Sequence, residues 1–316
     1  MIEETDFFSK DMERENDQFV EEKILQGANF PDLHEVSHLK TRSDMELGVG
    51  KYVAPLLLDE AVEKNIPTSN GNVSVRMFLP KGQIEGVYLH FHGGGWVIGT
   101  SHMQDQKLKD ISDECNAVVM SVEYRLAPEH RYPAAQDDCE EVALWVIKHC
   151  KNEFGTEKIV VGGESAGAHL STSTLIRLRD KHQFTGFKGA NLVYGVYDLS
   201  MTPSSKLWGN EKGLLNTPGM EWFIDHYLQD LDRTDPDISP LYSDLSDMPN
   251  ALFTVGTRDL LLDDTLFMHS RWEFSGNDAT LNVYAGATHG FDSLPTQLAI
   301  NVQKRIRSFI SQCFSS

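Results

Sequence analysis

Short apolar runs recur along the chain near 73–79, 86–91, 117–123, 158–162, 189–194, 251–256 and 281–285, each of strand length. Between them lie longer stretches with apolar residues at helical spacing, near 103–115, 133–151, 166–181, 263–275 and 295–313. Strands alternating with longer helices predict βαβ units and a mostly parallel central sheet flanked by helices, an α/β fold. The 316 residues suffice for one large domain with an insertion, and a core of that size needs no disulfide or metal staple.

Two regions fit this alternation poorly. Residues 1–50 are acidic and helix-prone, with Phe8, Met12 and Phe19 on one face at a period of about 3.6. Residues 200–235 interrupt the strand order with Trp208, Trp222, Phe223 and Tyr227 in a setting punctuated by Gly and Pro. The expected organisation is an N-terminal segment 1–50, a core over 51–199, an inserted segment over 200–235 and the core continued over 236–316.

Chemistry enters at Gly163-Glu164-Ser165-Ala166-Gly167, directly after the strand-like Lys158–Gly162. A serine on a strand-to-helix turn flanked by glycines is raised above the edge of a parallel sheet with free space around its hydroxyl. Upstream, His92-Gly93-Gly94-Gly95-Trp96 follows the run Gly86–Phe91, and consecutive glycines expose backbone N–H groups that can hold an oxyanion together with that of Ala166. Downstream, Asp259 follows the strand 251–256 and His289 follows the strand near 281–285. Serine, acid and histidine thus come in the order Ser165, Asp259, His289, each just past the carboxyl end of a strand, where open parallel sheets place reactive groups. The types suit one another: a serine hydroxyl needs a neutral imidazole to take its proton, and a carboxylate fixes the imidazole tautomer.

Asp263 and Asp264 compete for the acid role, but they fall further beyond the strand and are expected to cap the following helix. Among the other histidines, His90 lies within a strand, His92 in the glycine turn and His169 on the helix after the serine. None of them follows the last strand.

The His92–Trp96 stretch, Tyr124-Arg125-Leu126-Ala127-Pro128-Glu129 with Tyr132-Pro133-Ala134-Ala135 and Asp137-Asp138, the serine turn, and Asp259 and His289 in their contexts together resemble the hormone-sensitive-lipase-like esterases, the bacterial family IV carboxylesterases. The resemblance runs from about Val73 onward. It implies an α/β-hydrolase fold with a helical cap made of segments such as 1–50 and 200–235, hydrolysis of short-chain carboxylic esters, and no cofactor or metal. It also implies oxyanion donation by Gly93, Gly94 and Ala166, with His92, Gly95, Gly163, Glu164 and Gly167 as supporting positions. A cleft for the acyl group would give the aromatic residues of 200–235 an apolar place to pack. Three positions depart from the family pattern: Glu164 stands for Asp or Thr, Ala168 for a glycine and Leu260 for a proline.

Composition narrows the partners. With 28 basic and 47 acidic residues the formal net charge is −19, which disfavours nucleic acid and anionic membranes as partners, and the partner that the resemblance implies is a small-molecule ester. A homodimer is left open. Cys139 and Cys150 are eleven positions apart on one predicted helix, about 16 Å along its axis and too far to bridge, while Cys115 and Cys313 are single. An N-terminus rich in Asp and Glu, no secretory signal and no bilayer-length apolar run make a reducing cytoplasm the expected address. The same machinery also serves acyltransferases, amidases and lactonases, which differ in the competing nucleophile and leaving group. Plant gibberellin receptors resemble the family but lack the triad histidine, so His289 argues against a silent ligand-binding module.

Overall fold

The computed structural model describes residues 10–316, so Phe8 lies outside the described residues. Helices α1 (Lys10–Gly27) and α2 (His38–Leu47) precede a hairpin of β1 (Val62–Thr68) and β2 (Gly71–Phe78). Then β3 (Gly86–Phe91), α3 (Asp105–Cys115), β4 (Ala117–Val122), α4 (Ala134–Phe154), β5 (Ile159–Glu164), α5 (Ala166–His182) and β6 (Gly189–Val193) alternate. Helices α6 (Pro203–Leu207) and α7 (Thr217–Leu228) lead to β7 (Ala251–Arg258), followed by α8 (Leu262–Phe274), β8 (Ala279–Thr288) and α9 (Gln297–Ser315).

The strands form one sheet of eight in the order β1-β2-β4-β3-β5-β6-β7-β8. β2 runs antiparallel to β1 and β4, and the remaining pairs are parallel. Every residue of β3, β4, β5 and β6 is buried, because helices cover both faces of the parallel part. Successive side chains go to opposite faces. Val87, Leu89 and Phe91 of β3 join the cluster that holds Val142 and Val146 of α4 and Leu175 of α5. Tyr88 joins Leu108 of α3 and Ile306 and Ile310 of α9.

The structure departs from the sequence expectations in a few places. β1 was absent from the expected strands because Val-Glu-Lys-Asn-Ile-Pro-Thr is polar and carries Pro67. It is an edge strand with only Ile66 buried, and an edge tolerates both features. In α1, Met12 and Phe19 are half-buried on one face as expected, and the most buried residues of that same face are Asn16 and Val20. The helix is turned this way with Asn16 Nδ2 donating to the carbonyl of Gly286 at 3.2 Å. All four cysteines are free, buried thiols. No helix of the described residues is long and apolar enough to cross a membrane.

Candidate active site

At the end of β5 the chain reverses into α5 at Ser165, whose φ of 56° and ψ of −119° are strained for a residue with a side chain. The Ser165 N–H donates to Val193 O at 2.9 Å, which anchors the turn to the end of β6. The turn also passes tightly over the end of β3: a methyl group on Gly167 would lie 1.9 Å from Phe91 O. Gly163 faces that same carbonyl.

His289 Nε2 is 3.0 Å from Ser165 Oγ, and its Nδ1 is 2.9 and 3.1 Å from the two carboxylate oxygens of Asp259. A carboxylate only accepts, so Nδ1 carries the proton and the Nε2 lone pair faces the serine hydroxyl. Asp259 is buried and also accepts the N–H of Leu261 at 2.9 Å, which fixes its carboxylate toward the histidine. Asp263 and Asp264 do not cap α8 but sit in its first turn, facing residues 197–204. Asp264 accepts from the N–H groups of Tyr197 and Asp198 and from Thr202 Oγ1, and Asp263 accepts the N–H of Ser204. They pin the chain entering α6, and the helix N-cap position is Leu261.

Gly93, Gly94 and Ser165 line one cavity. Gly94 has φ 118°, and a methyl group there would lie 2.1 Å from Ile98 O. Its carbonyl accepts the N–H groups of Val97 and Ile98, which closes the turn. His92 supports the turn from below: Nδ1–H donates to Gly93 O at 2.8 Å, and the ring stacks on Tyr124 at 4.1 Å. Burial pushes the His92 imidazole toward its neutral form. Gly95 lies against the Phe223 ring. Ala166 is buried as the first residue of α5, where a backbone N–H has no intrahelical acceptor.

Glu164 is buried directly before the serine and accepts from His90 Nε2 at 3.0 Å and from Lys107 Nζ. Burial opposes its ionisation, but Lys107 and His90 outweigh it and hold the carboxyl well below the usual range. Lys107 also reaches Asp292, and Tyr194 O–H donates to the same carboxylate. Lys107, Asp292 and Tyr194 were not anticipated from sequence. The one available signal was Glu164 itself, since a carboxylate at a buried strand end demands a cation.

The cavity over Ser165 measures about 390 Å³. Its outer wall comes from both segments that fit the strand pattern poorly: Leu33 with Lys51 and Tyr52, and Leu214, Leu215, Met220 and Phe223. The N-terminal contribution therefore runs past residue 50. Of the four aromatic residues expected in the cleft, Phe223 alone lines it. Tyr227 stacks on Trp96 at 4.4 Å, Trp222 packs on Phe223 and His226, and Trp208 is half-buried against the core. The reason is helical geometry: α7 turns Met220 and Phe223 to the cavity, and Trp222 falls on a different side.

A parallel sheet with a serine, a histidine and an aspartate gathered at its carboxyl edge defines an α/β hydrolase. Residues 88–293 match the family described as the alpha/beta hydrolase fold, and the chain belongs to it. It is 32% identical over 250 residues to the carboxylic ester hydrolase LipN of Mycobacterium tuberculosis, an alignment covering 76% of this chain and 66% of that protein. It is 29% identical to an acetyl esterase of Salmonella paratyphi A, over 72% of this chain and 71% of the relative. Among solved structures it is similar to a hyperthermophilic esterase from the archeon Pyrobaculum calidifontis, with a TM-score of 0.83, 27% identity and coverage of 96% and 98% of the two chains.

Proposed function

We propose that the protein is a carboxylic ester hydrolase acting on short-chain acyl esters through Ser165, His289 and Asp259. The observation that carries this is the unbroken path from Ser165 Oγ through the His289 ring to the buried Asp259 carboxylate. Ser165 Oγ attacks the ester carbonyl as Nε2 of His289 takes its proton. Asp259 holds Nδ1–H and stabilises the imidazolium that forms. The N–H groups of Gly93, Gly94 and Ala166 receive the oxyanion, and His289 then hands its proton to the departing alcohol. Water, deprotonated by the same imidazole, attacks the acyl-enzyme and releases the acid.

The described part of the N-terminal segment, residues 10–50, and residues 200–235 act as a cap over this site, a reading supported by the cavity-lining residues they contribute. The short-chain preference is supported by the cavity volume of about 390 Å³, near the small end of the roughly 300–1,000 Å³ typical of ligand pockets. Steady-state rates on p-nitrophenyl acetate, butyrate, octanoate and laurate test both parts. The expected result is highest kcat/KM on acetate and butyrate, and a loss of about 10⁴ to 10⁶ in kcat for Ser165→Ala. A Ser165→Ala variant that kept a tenth of wild-type activity, or a preference for laurate, would overturn the reading.

A further inference from the structure

The turns carrying Ser165 and His289 follow β5 and β8, which are separated in the sheet by β6 and β7. Strands are about 4.8 Å apart, so these turns start roughly 14 Å from one another. The hydrogen bond between serine and histidine is one link across that gap. A second lies beneath it. Lys107 projects from α3, and its ammonium donates to both Glu164 and Asp292 Oδ2, the latter at 2.6 Å. Glu164 immediately precedes Ser165, and Asp292 is three positions past His289. The three side chains are 12%, 3% and 0% exposed.

Each end of this strut is itself braced. The other oxygen of Glu164 accepts from His90 Nε2, whose Nδ1 faces Ser121 Oγ at 3.0 Å. Asp292 accepts from Gln303 Nε2 at 2.9 Å and from Tyr194 O–H, and the Tyr194 ring lies 4.6 Å from that of His289. Burying such charges adds little net stability, because desolvation offsets much of the attraction, while their directional bonds fix geometry. We propose that Lys107 is a positioning residue that holds the Ser165 and His289 turns at reacting distance through Glu164 and Asp292. The inference rests on the ester-hydrolase reading of the site.

The charged groups facing His289 and the strut are Asp259, Glu164, Asp292 and Lys107, with His90 behind Glu164. One ammonium against two carboxylates leaves a single net negative charge in the strut. Lys107→Met leaves two, and adding Glu164→Gln returns the count to one. For Lys107→Met, kcat on p-nitrophenyl acetate should fall about 10- to 100-fold with KM within about threefold. The midpoint of the rising limb of the pH–rate profile should move up by about 0.5 units or more. Lys107→Met with Glu164→Gln should stay slow while the midpoint returns, a split that mere loss of stability does not produce.

A folded Lys107→Met variant with kcat within twofold of wild type and an unmoved midpoint overturns the proposal. Should that variant not fold, the double variant is read against Glu164→Gln alone, and equal kcat values then overturn it. A wild-type protein inactive on every ester would instead sink the ester-hydrolase reading. The titration of the His289 ring followed by NMR in wild type and Lys107→Met needs no substrate and still decides the strut: a displaced titration supports it, coincident titrations overturn it.

Discussion

Gly167 is the residue with least freedom around the serine. A methyl group there would meet Phe91 O at 1.9 Å and His92 O at 2.9 Å, and both partners are backbone atoms that cannot swing aside. Gly167→Ala should therefore cost about 3 kcal/mol or more in urea unfolding, at the upper end of overpacking effects, and should displace Ser165 from His289. A loss under about 1 kcal/mol with full activity would show that the β3 end yields easily. The grouping of Ser165, Asp259 and His289 was legible in sequence because each stands just past a strand end, the serine and the histidine with glycine close by. Lys107 was not. In Asp105-Gln106-Lys107-Leu108-Lys109 it reads as an ordinary solvated helix lysine, and the fold alone brings two carboxylates from 57 and 185 positions away onto it.

Among elements, α2 docks on the core through Arg42, with His38 beside it on Glu129 and Glu46 on His102. Arg42 donates Nε–H to Val97 O and an Nη2–H to Ala127 O, both at 2.7 Å, and forks onto Glu129 at 2.9 Å. Val97 closes the glycine turn, so this arginine couples the N-terminal segment to the Gly93–Gly95 side of the site. Arg42→Ala should cost about 2 kcal/mol, from two charge-assisted bonds to carbonyls. The Glu129 pair adds little, since that carboxylate is 42% exposed. Arg42→Lys should recover little, because a single ammonium cannot reproduce the fork. Hydrogen exchange is the check: α2 amides that exchange in Arg42→Ala as in wild type would show that another contact docks the helix. The buried strands were readable as apolar runs, whereas β1 was not, because pairing with β2 rather than burial defines it. In α1 the apolar spacing of Met12 and Phe19 found the inward stripe, and what it did not show is that the polar Asn16 is the most deeply placed residue of that stripe, bonded to the carbonyl of Gly286.

For the whole molecule, two charge effects oppose each other as pH changes. The formal charge of −19 is self-repelling, and the repulsion fades as pH falls toward the isoelectric point near 5.0. Working against this is the buried strut. Glu164 has its folded-state pKa depressed, with Lys107 and His90 overcoming burial, so its contribution is present above the unfolded value of about 4.3 and is lost as pH falls through the folded one. Lys107 has the opposite sign: burial pulls it down, Asp292 and Glu164 more than compensate, and its folded-state pKa is raised. Its contribution is present below about 10.4 and is lost as pH rises through the folded value. Stability to urea at low salt should therefore rise from about pH 8 to about pH 5.5, decline below about pH 4, and decline again above about pH 10.5. Salt at about 0.5 M should flatten the first rise and leave the two declines, because surface charges are screened far more than buried ones. In Glu164→Gln the acid decline should be shallower. Superimposable acid limbs for wild type and Glu164→Gln would mean that the Glu164 carboxylate contributes no pH-linked stability, and the ionic link between Lys107 and the serine turn would have to be given up.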